Sequence, residues 1–219
     1  MVTTKKTTLW VIRHGETIWN AEERFQGHGD SPLTANGRRQ VEALAERMKG
    51  IDVDLLIASD LGRAQESAAI IAASTGHPIH TDSRLRERSF GLLEGLTAVE
   101  IRKGFPGVYE QMYADAPDYA PPEGESLRQH YQRNIAFIEE LVATRPGITA
   151  ALVVHGGVLD SLFRHTARLP LDQPRCFTTA NASLSRFTHG TFYGTTRWVI
   201  ETWCDSAHLD GIGQNFGLG

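Results

Sequence analysis

Residues 8–15 read Thr8-Leu9-Trp10-Val11-Ile12-Arg13-His14-Gly15, and the fold turns on how that stretch is read. The apolar run is too short for a helix and fits a strand buried on both faces. It then stops on two nitrogen-rich side chains. Outward from it, Thr34 stands as an N-cap, with Val41, Leu44, Ala45 and Met48 at helical spacing before Gly50. Asp54–Ser59 reads as a second strand, followed by a helix in which Ala64, Ala68, Ile71 and Ala72 share a face. Gly76–Thr81 reads as a turn and a short strand. Ser126 to Thr144 carries Leu127, Tyr131, Ile135, Ile138 and Leu141 at helical spacing. Ala150–Val154 is the most apolar strand, and Gly156-Gly157 lead into a helix holding Leu159, Leu162 and Phe163. Ser183–Thr188 and Arg197–Trp203 are late strands.

Alternating strands and helices predict an α/β fold, a three-layer sandwich with a mostly parallel central sheet and helices on both faces. The 219 residues read as a single domain, 1–219. Within it, 104–126 is expected to be irregular, broken by Gly104, Pro106, Gly107, Pro117, Pro121, Pro122 and Gly124. The span 97–126 is expected to serve as a lid or specificity segment. Phe105, Tyr109, Tyr113 and Tyr119 would line it as an apolar or sugar-stacking wall. The glycine-rich tail 205–219 is expected to fray.

Composition excludes several functions. Lys+Arg 22 against Asp+Glu 26 gives a net charge of −4, which implies no nucleic-acid surface. No apolar run approaches a membrane span, and Met1–Thr8 has lysines without a hydrophobic stretch after them. Cys176 and Cys204 make neither a CxxC pair nor a disulfide framework. A cytoplasmic location is the expectation.

In parallel sheets, ligands bind beyond the carboxyl ends of the strands. Arg13 and His14 end the first strand, Arg63 opens the helix after the second, and His155 ends the fourth. Any one of them alone would pass for a surface ion pair or a structural histidine. Together they predict an anion site on one rim. Arginine binds phosphate through a planar fork, which suits Arg13 and Arg63. Neutral imidazole is a nucleophile near pH 7, and two adjacent guanidinium groups favour that form of His14. His155 is expected to stay charged and to stabilise the transferring phosphoryl group. Glu87, between Arg86 and Arg88, is the candidate proton donor. Phosphate would raise its pKa and the two arginines would lower it. No metal-ligand spacing is found among the nine histidines, so no metal is expected.

The segment Val11-Ile12-Arg13-His14-Gly15-Glu16-Thr17-Ile18-Trp19-Asn20 resembles the signature of the histidine phosphatase superfamily, also called phosphoglycerate mutase-like. The resemblance continues through Gln26-Gly27, Asp30-Ser31-Pro32-Leu33-Thr34, Gly37, Ser59-Asp60-Leu61-Gly62-Arg63-Ala64, Leu85-Arg86-Glu87-Arg88-Ser89-Phe90-Gly91 and Val153-Val154-His155-Gly156-Gly157. It implies the phosphoglycerate mutase-like fold, with His14 as the phosphorylated nucleophile. Arg13, Arg63 and His155 would bind the phosphoryl group, Glu87 would donate the proton, and Asn20, Gln26 and Gly27 would belong to the phosphate pocket. It also implies a phosphohistidine intermediate formed without cofactor, a small phosphorylated metabolite as substrate, and a homodimer.

Within that family, the mutases place a Tyr and a Lys where this chain has Phe90 and Ala98, and an Arg pair in the lid. Residues 104–126 contain no Arg or Lys. Leaving a buried carboxylate unpartnered would cost several kcal/mol. The blocks Phe90-Gly91-Leu92-Leu93-Glu94-Gly95 and Gly124-Glu125-Ser126 also resemble the phosphatase branch. The expectation is therefore a phosphomonoester hydrolase, with the cofactor-dependent mutase as alternative and a non-catalytic phospholigand-binding protein as the rival from another class. No Cys-x5-Arg, Asp-x-Asp-x-Thr or GxxxxGK[ST] loop is present.

Overall fold

The structure, a computed structural model, describes residues 6–114 and 116–213. The sheet strands are β1 (Thr7–Arg13), β2 (Leu55–Ala58), β3 (Ile79–Thr81), β4 (Thr149–Val154), β5 (Leu184–Phe192) and β6 (Thr195–Asp205). They lie in the order β3-β2-β4-β1-β5-β6. The pairs β2–β3, β2–β4 and β1–β4 are parallel, while β5 runs antiparallel to both β1 and β6. The central strands β1 and β4 are thus the first and the most apolar of the sequence reading.

Alternation in these strands builds two cores. Ile12, Ala151, Val153 and Leu56 face α2 (Ala35–Met48) and α3 (Gly62–Thr75), against Val41, Leu44, Met48, Ala68 and Ile71. Val11, Leu152, Val154 and Ile57 face α6 (Leu127–Thr144) and α7 (Gly156–Ala167), against Phe137, Ile138, Leu141, Leu159 and Leu162. Each buried aliphatic side chain stabilises the fold by about 1.5–3 kcal/mol. Thr34 caps α2 by accepting from the Gly37 amide at 2.8 Å, and Ser126 caps α6 in a reciprocal capping box with Gln129. No helix of the described residues is long and apolar enough to cross a membrane.

Two expectations need correction. The stretch 104–126 is not uniformly irregular. Ala98–Gly104 forms α4 and Val108–Met112 forms α5. Phe105, Val108, Tyr109 and Met112 pack on a third core of Phe25, Phe90, Leu93 and Ile101. Nor does the tail begin to fray at 205. Ala207–Leu209 forms a 3-10 turn, Leu209 is buried in the first core, and the Gln40 side chain donates to the Gly213 carbonyl at 2.9 Å. The rest of the tail, from 214, lies outside the described residues, as do residues 1–5. The short helix α1 (Ile18–Ala21) is a further element the periodicity did not announce.

Candidate active site

At the carboxyl end of β1 the chain turns through His14 and Gly15. Gly15 is required there, because a β-carbon on it would stand 2.6 Å from the Gly37 carbonyl oxygen at the start of α2. The Gly15 amide donates to Ser67 Oγ at 3.1 Å, fixing the turn against α3. His14 is almost fully buried, and its Nδ1 donates to its neighbour's carbonyl, Gly15 O, at 2.8 Å. That bond selects the tautomer and leaves the lone pair on Nε2. Burial, then the positive charges of Arg63 and Arg13, hold His14 well below the usual histidine pKa.

Arg63, in the first turn of α3, points Nε at His14 Nε2 at 3.3 Å. Its terminal nitrogens donate to the Gly29 and Gly27 carbonyls at 2.9 and 2.8 Å, which fixes the plane of the guanidinium. Arg13 donates to the Thr179 carbonyl at 2.6 Å from the other side. Burial lowers both arginines, Arg13 to about 10, and both stay charged at neutral pH. His155 caps α7 with its ring centroid 5.2 Å from that of His14. Neither of its ring nitrogens meets a hydrogen-bond partner among the described residues. Burial first, then Arg63, His14, His130 and Arg13, keep it well below the usual range. The expected charge on His155 is therefore corrected: the imidazole is neutral, held so by desolvation among like charges.

Glu87 is buried opposite. Its Oε1 accepts from the Arg88 amide at 2.8 Å and its Oε2 from the Gly157 amide at 3.0 Å, in the first turn of α7. Burial raises its pKa, but these amides, His130 and Arg63 outweigh that, and the carboxyl sits below its ordinary value. Of the two flanking arginines, Arg86 is spent on Asp60 in a two-point pair at 2.7 and 2.6 Å. Arg88 acts on Glu87 through its backbone.

The three pocket residues carried over by resemblance play different parts. Asn20 Oδ1 accepts from the Thr17 amide and hydroxyl and from Asn181 Nδ2, so that oxygen serves the loop. Gln26 Oε1 accepts from Thr17 Oγ1 at 2.9 Å. Gly27 contributes its carbonyl to Arg63. Gly27 touches the His14–Arg63 cradle directly, and Asn20 meets it through Asn181, which also donates to the His14 carbonyl.

Several residues were missed. Asn181 Nδ2 donates to the His14 carbonyl at 3.1 Å, and Thr179 holds Arg13. Glu94 clasps two segments: its carboxylate accepts from the His28 and Gly29 amides at 2.9 and 2.6 Å and from the Phe90 amide at 3.0 Å. Glu125 accepts from the Ser89 amide at 3.0 Å and pairs with Arg133 at 2.7 Å. A cavity of about 510 Å³ opens from Glu87 and Thr179. One wall is Met112, Tyr113, Ala116 and Pro117, and the other comes from 171–179 with Arg175 and Phe177. Of the four aromatic residues expected to line such a wall, Tyr113 does so; Phe105 and Tyr109 pack inward on the third core, and Tyr119 lies outside the cavity lining, its carbonyl accepting from Arg88.

The chain is similar to known proteins over most of its length. The sequence profile of the histidine phosphatase superfamily (branch 1) matches residues 9–206. A protein of Cronobacter sakazakii named "Probable phosphoglycerate mutase GpmB" is 37% identical over 203 residues, 92% of this chain and 94% of that one. A solved mycobacterial glucosyl-3-phosphoglycerate phosphatase in complex with VO3 superposes with a TM-score of 0.80 at 32% identity, covering 90% of this chain and 98% of that one. The alpha-ribazole phosphatase of Shigella flexneri gives 0.81 at 26% identity, over 91% and 97%. With its paired histidines and arginines gathered at the end of a parallel sheet, the chain belongs to the histidine phosphatase superfamily.

Proposed function

We propose that the chain hydrolyses phosphomonoesters of small metabolites through a phosphohistidine on His14. The observation that carries this reading is the His14 ring itself, held neutral with its Nε2 lone pair turned to the Arg63 guanidinium and with Arg13 within electrostatic reach. A phosphomonoester dianion matches the two charges of Arg13 and Arg63. His14 Nε2 attacks phosphorus in line, the P–O bond to the leaving oxygen breaks, and Glu87 gives that oxygen its proton. Water then attacks the phosphohistidine, its proton passes to Glu87, the P–N bond breaks, and inorganic phosphate leaves. Neutral His155 has one N–H, without a partner among the described residues, to donate to an equatorial oxygen. In this scheme protein groups alone supply the nucleophile, the positive charge and the acid, so it calls on no metal. That a similar phosphatase was solved with VO3, an analogue of the transferring phosphoryl group, is in keeping with phosphoryl-transfer chemistry on this fold.

Mutase chemistry is the second reading, favoured by the name of the curated relative. Against it, Phe90 presents the cavity with a ring that has no donor, and Ala98 packs on the third core. Both stand where the mutases bind a carboxylate. A panel of phosphorylated metabolites, including 3-phosphoglycerate with and without 2,3-bisphosphoglycerate, separates the two. The hydrolase reading expects inorganic phosphate as the main product throughout. Dominant, bisphosphoglycerate-dependent isomerisation would replace it with the mutase.

A further inference from the structure

Beside Glu87 lies a second buried titratable group that the scheme above leaves idle. His130, in the first turn of α6, is fully buried, and its Nε2 stands 3.7 Å from Glu87 Oε1. The same nitrogen lies 3.3 Å from the Arg86 carbonyl oxygen and accepts from Asn134 Nδ2 at 2.9 Å. Asn134 Nδ2 also donates to Ser161 Oγ on α7 at 3.2 Å. Glu87, His130, Asn134 and Ser161 thus form one polar string through an otherwise apolar contact between helices.

The string is unfinished in an instructive way. Asn134 Oδ1 and His130 Nδ1 are buried without a hydrogen-bond partner. With the imidazole neutral, Asn134 donates to Nε2. When Nε2 takes a proton, turning the amide over presents Oδ1 to it, and the Arg86 carbonyl and Glu87 carboxylate already face it as acceptors. The site therefore offers Nε2 a partner in either protonation state of the ring. Burial holds His130 at about 4 and Arg133 on its own helix adds to that, as does Arg88, while Glu87 and Glu125 act the other way. From α7, uncharged Gly157 and Ser161 face it, and His155 lies within electrostatic reach.

Resting on the hydrolase reading, we infer that His130 is a positioning residue for Glu87: once the phosphate is bound, its negative charge lets the two hold one proton between Glu87 Oε1 and His130 Nε2, 3.7 Å apart, and that proton supplies the leaving oxygen. The proton enters with the bound phosphate and rests on either partner until the P–O bond breaks. Glu87 spends it as the P–O bond breaks, and the water that attacks phosphohistidine returns it. Two buried groups that share one proton titrate as a pair, not singly.

The test compares an alkyl phosphate, whose leaving oxygen needs a proton, with p-nitrophenyl phosphate, whose leaving group does not. His130→Gln should lose about tenfold in kcat/KM on the alkyl ester and keep its rate on the aryl ester. An equal loss on both, or none on either, would overturn the inference. If His130→Gln melts too low to assay, the Glu87→Gln protein answers instead. Removing the carboxylate should lower the pH at which the His130 ring protonates in a ¹⁵N-imidazole titration, and an unmoved midpoint would overturn it as well. An unaltered protein inactive on both esters marks a different failure, that of the hydrolase reading, and takes this inference with it.

Discussion

Gly157 donates its amide to Glu87 Oε2 at 3.0 Å, and a β-carbon on it would stand 2.1 Å from Oε1 of the same carboxylate. The glycine lets the amino end of α7 close directly onto the proton donor, where helix-end amides favour negative charge. Gly157→Ala should push the carboxylate aside. Proton donation contributes typically 10²–10⁴-fold. A loss of about 10²-fold in kcat/KM on alkyl phosphates, with a smaller loss on aryl phosphates, is the expected outcome by steady-state kinetics.

Glu94 ties the 27–29 loop, whose carbonyls hold Arg63, to the 89–90 segment that follows Glu87. Glu94→Ala strips three backbone amides of their acceptor, at about 1–3 kcal/mol for each group left buried. Chemical denaturation should show a loss of about 2 kcal/mol or more. Inorganic phosphate should also bind more weakly, because the Arg63 guanidinium loses its fixed plane.

Stability should fall on mild acidification. His14, His130 and His155 are all held below the ordinary histidine value in the fold. Between the folded and unfolded pKa values the unfolded chain binds more protons, so stability is present above about 6.5 and declines as pH drops below it. Each histidine contributes up to about 1.4 kcal/mol per pH unit over that window. The melting temperature is expected to drop clearly from pH 7 to pH 5, before the carboxylates titrate. A flat curve there would show that the rings are not held neutral.

The rate should follow a different group. Glu87 is held below its ordinary value by the chain, so its proton arrives with the substrate monoanion or is drawn up by the bound phosphate. For an alkyl phosphate with a second pKa near about 6, kcat/KM should fall about tenfold per unit above that pH. A profile level from pH 6 to 8 would contradict this.

Much of this was legible before the fold was seen. The two-sided burial of β1 and β4 follows from apolar runs too short for helices, and the strand-end rule gathers Arg13, His14, Arg63 and His155 on one rim. What stayed hidden depends on distant pairing without periodicity. Thr179 and Asn181 lie in a stretch with neither helical nor strand spacing, yet they reach residues 166 and 167 positions away. Leu209 is one of several scattered apolar residues in a glycine-rich tail, without helical or strand spacing, and its place beside α2 follows only from the fold. The protonation of Glu87 and His155 turned on which amides and rings surround them, which sequence spacing does not encode. His130 had a signal that was passed over: with Asn134, Phe137, Ile138 and Leu141 it falls on the buried face of α6.

The most direct measurement is rapid acid-free quench after mixing the protein with ³²P-labelled substrate. A histidine that accepts phosphorus leaves a protein-bound label that survives alkali and is released by acid. The label should form within the first turnover and be absent from His14→Ala. Full turnover by His14→Ala, or a label that survives acid, would contradict transfer to this ring.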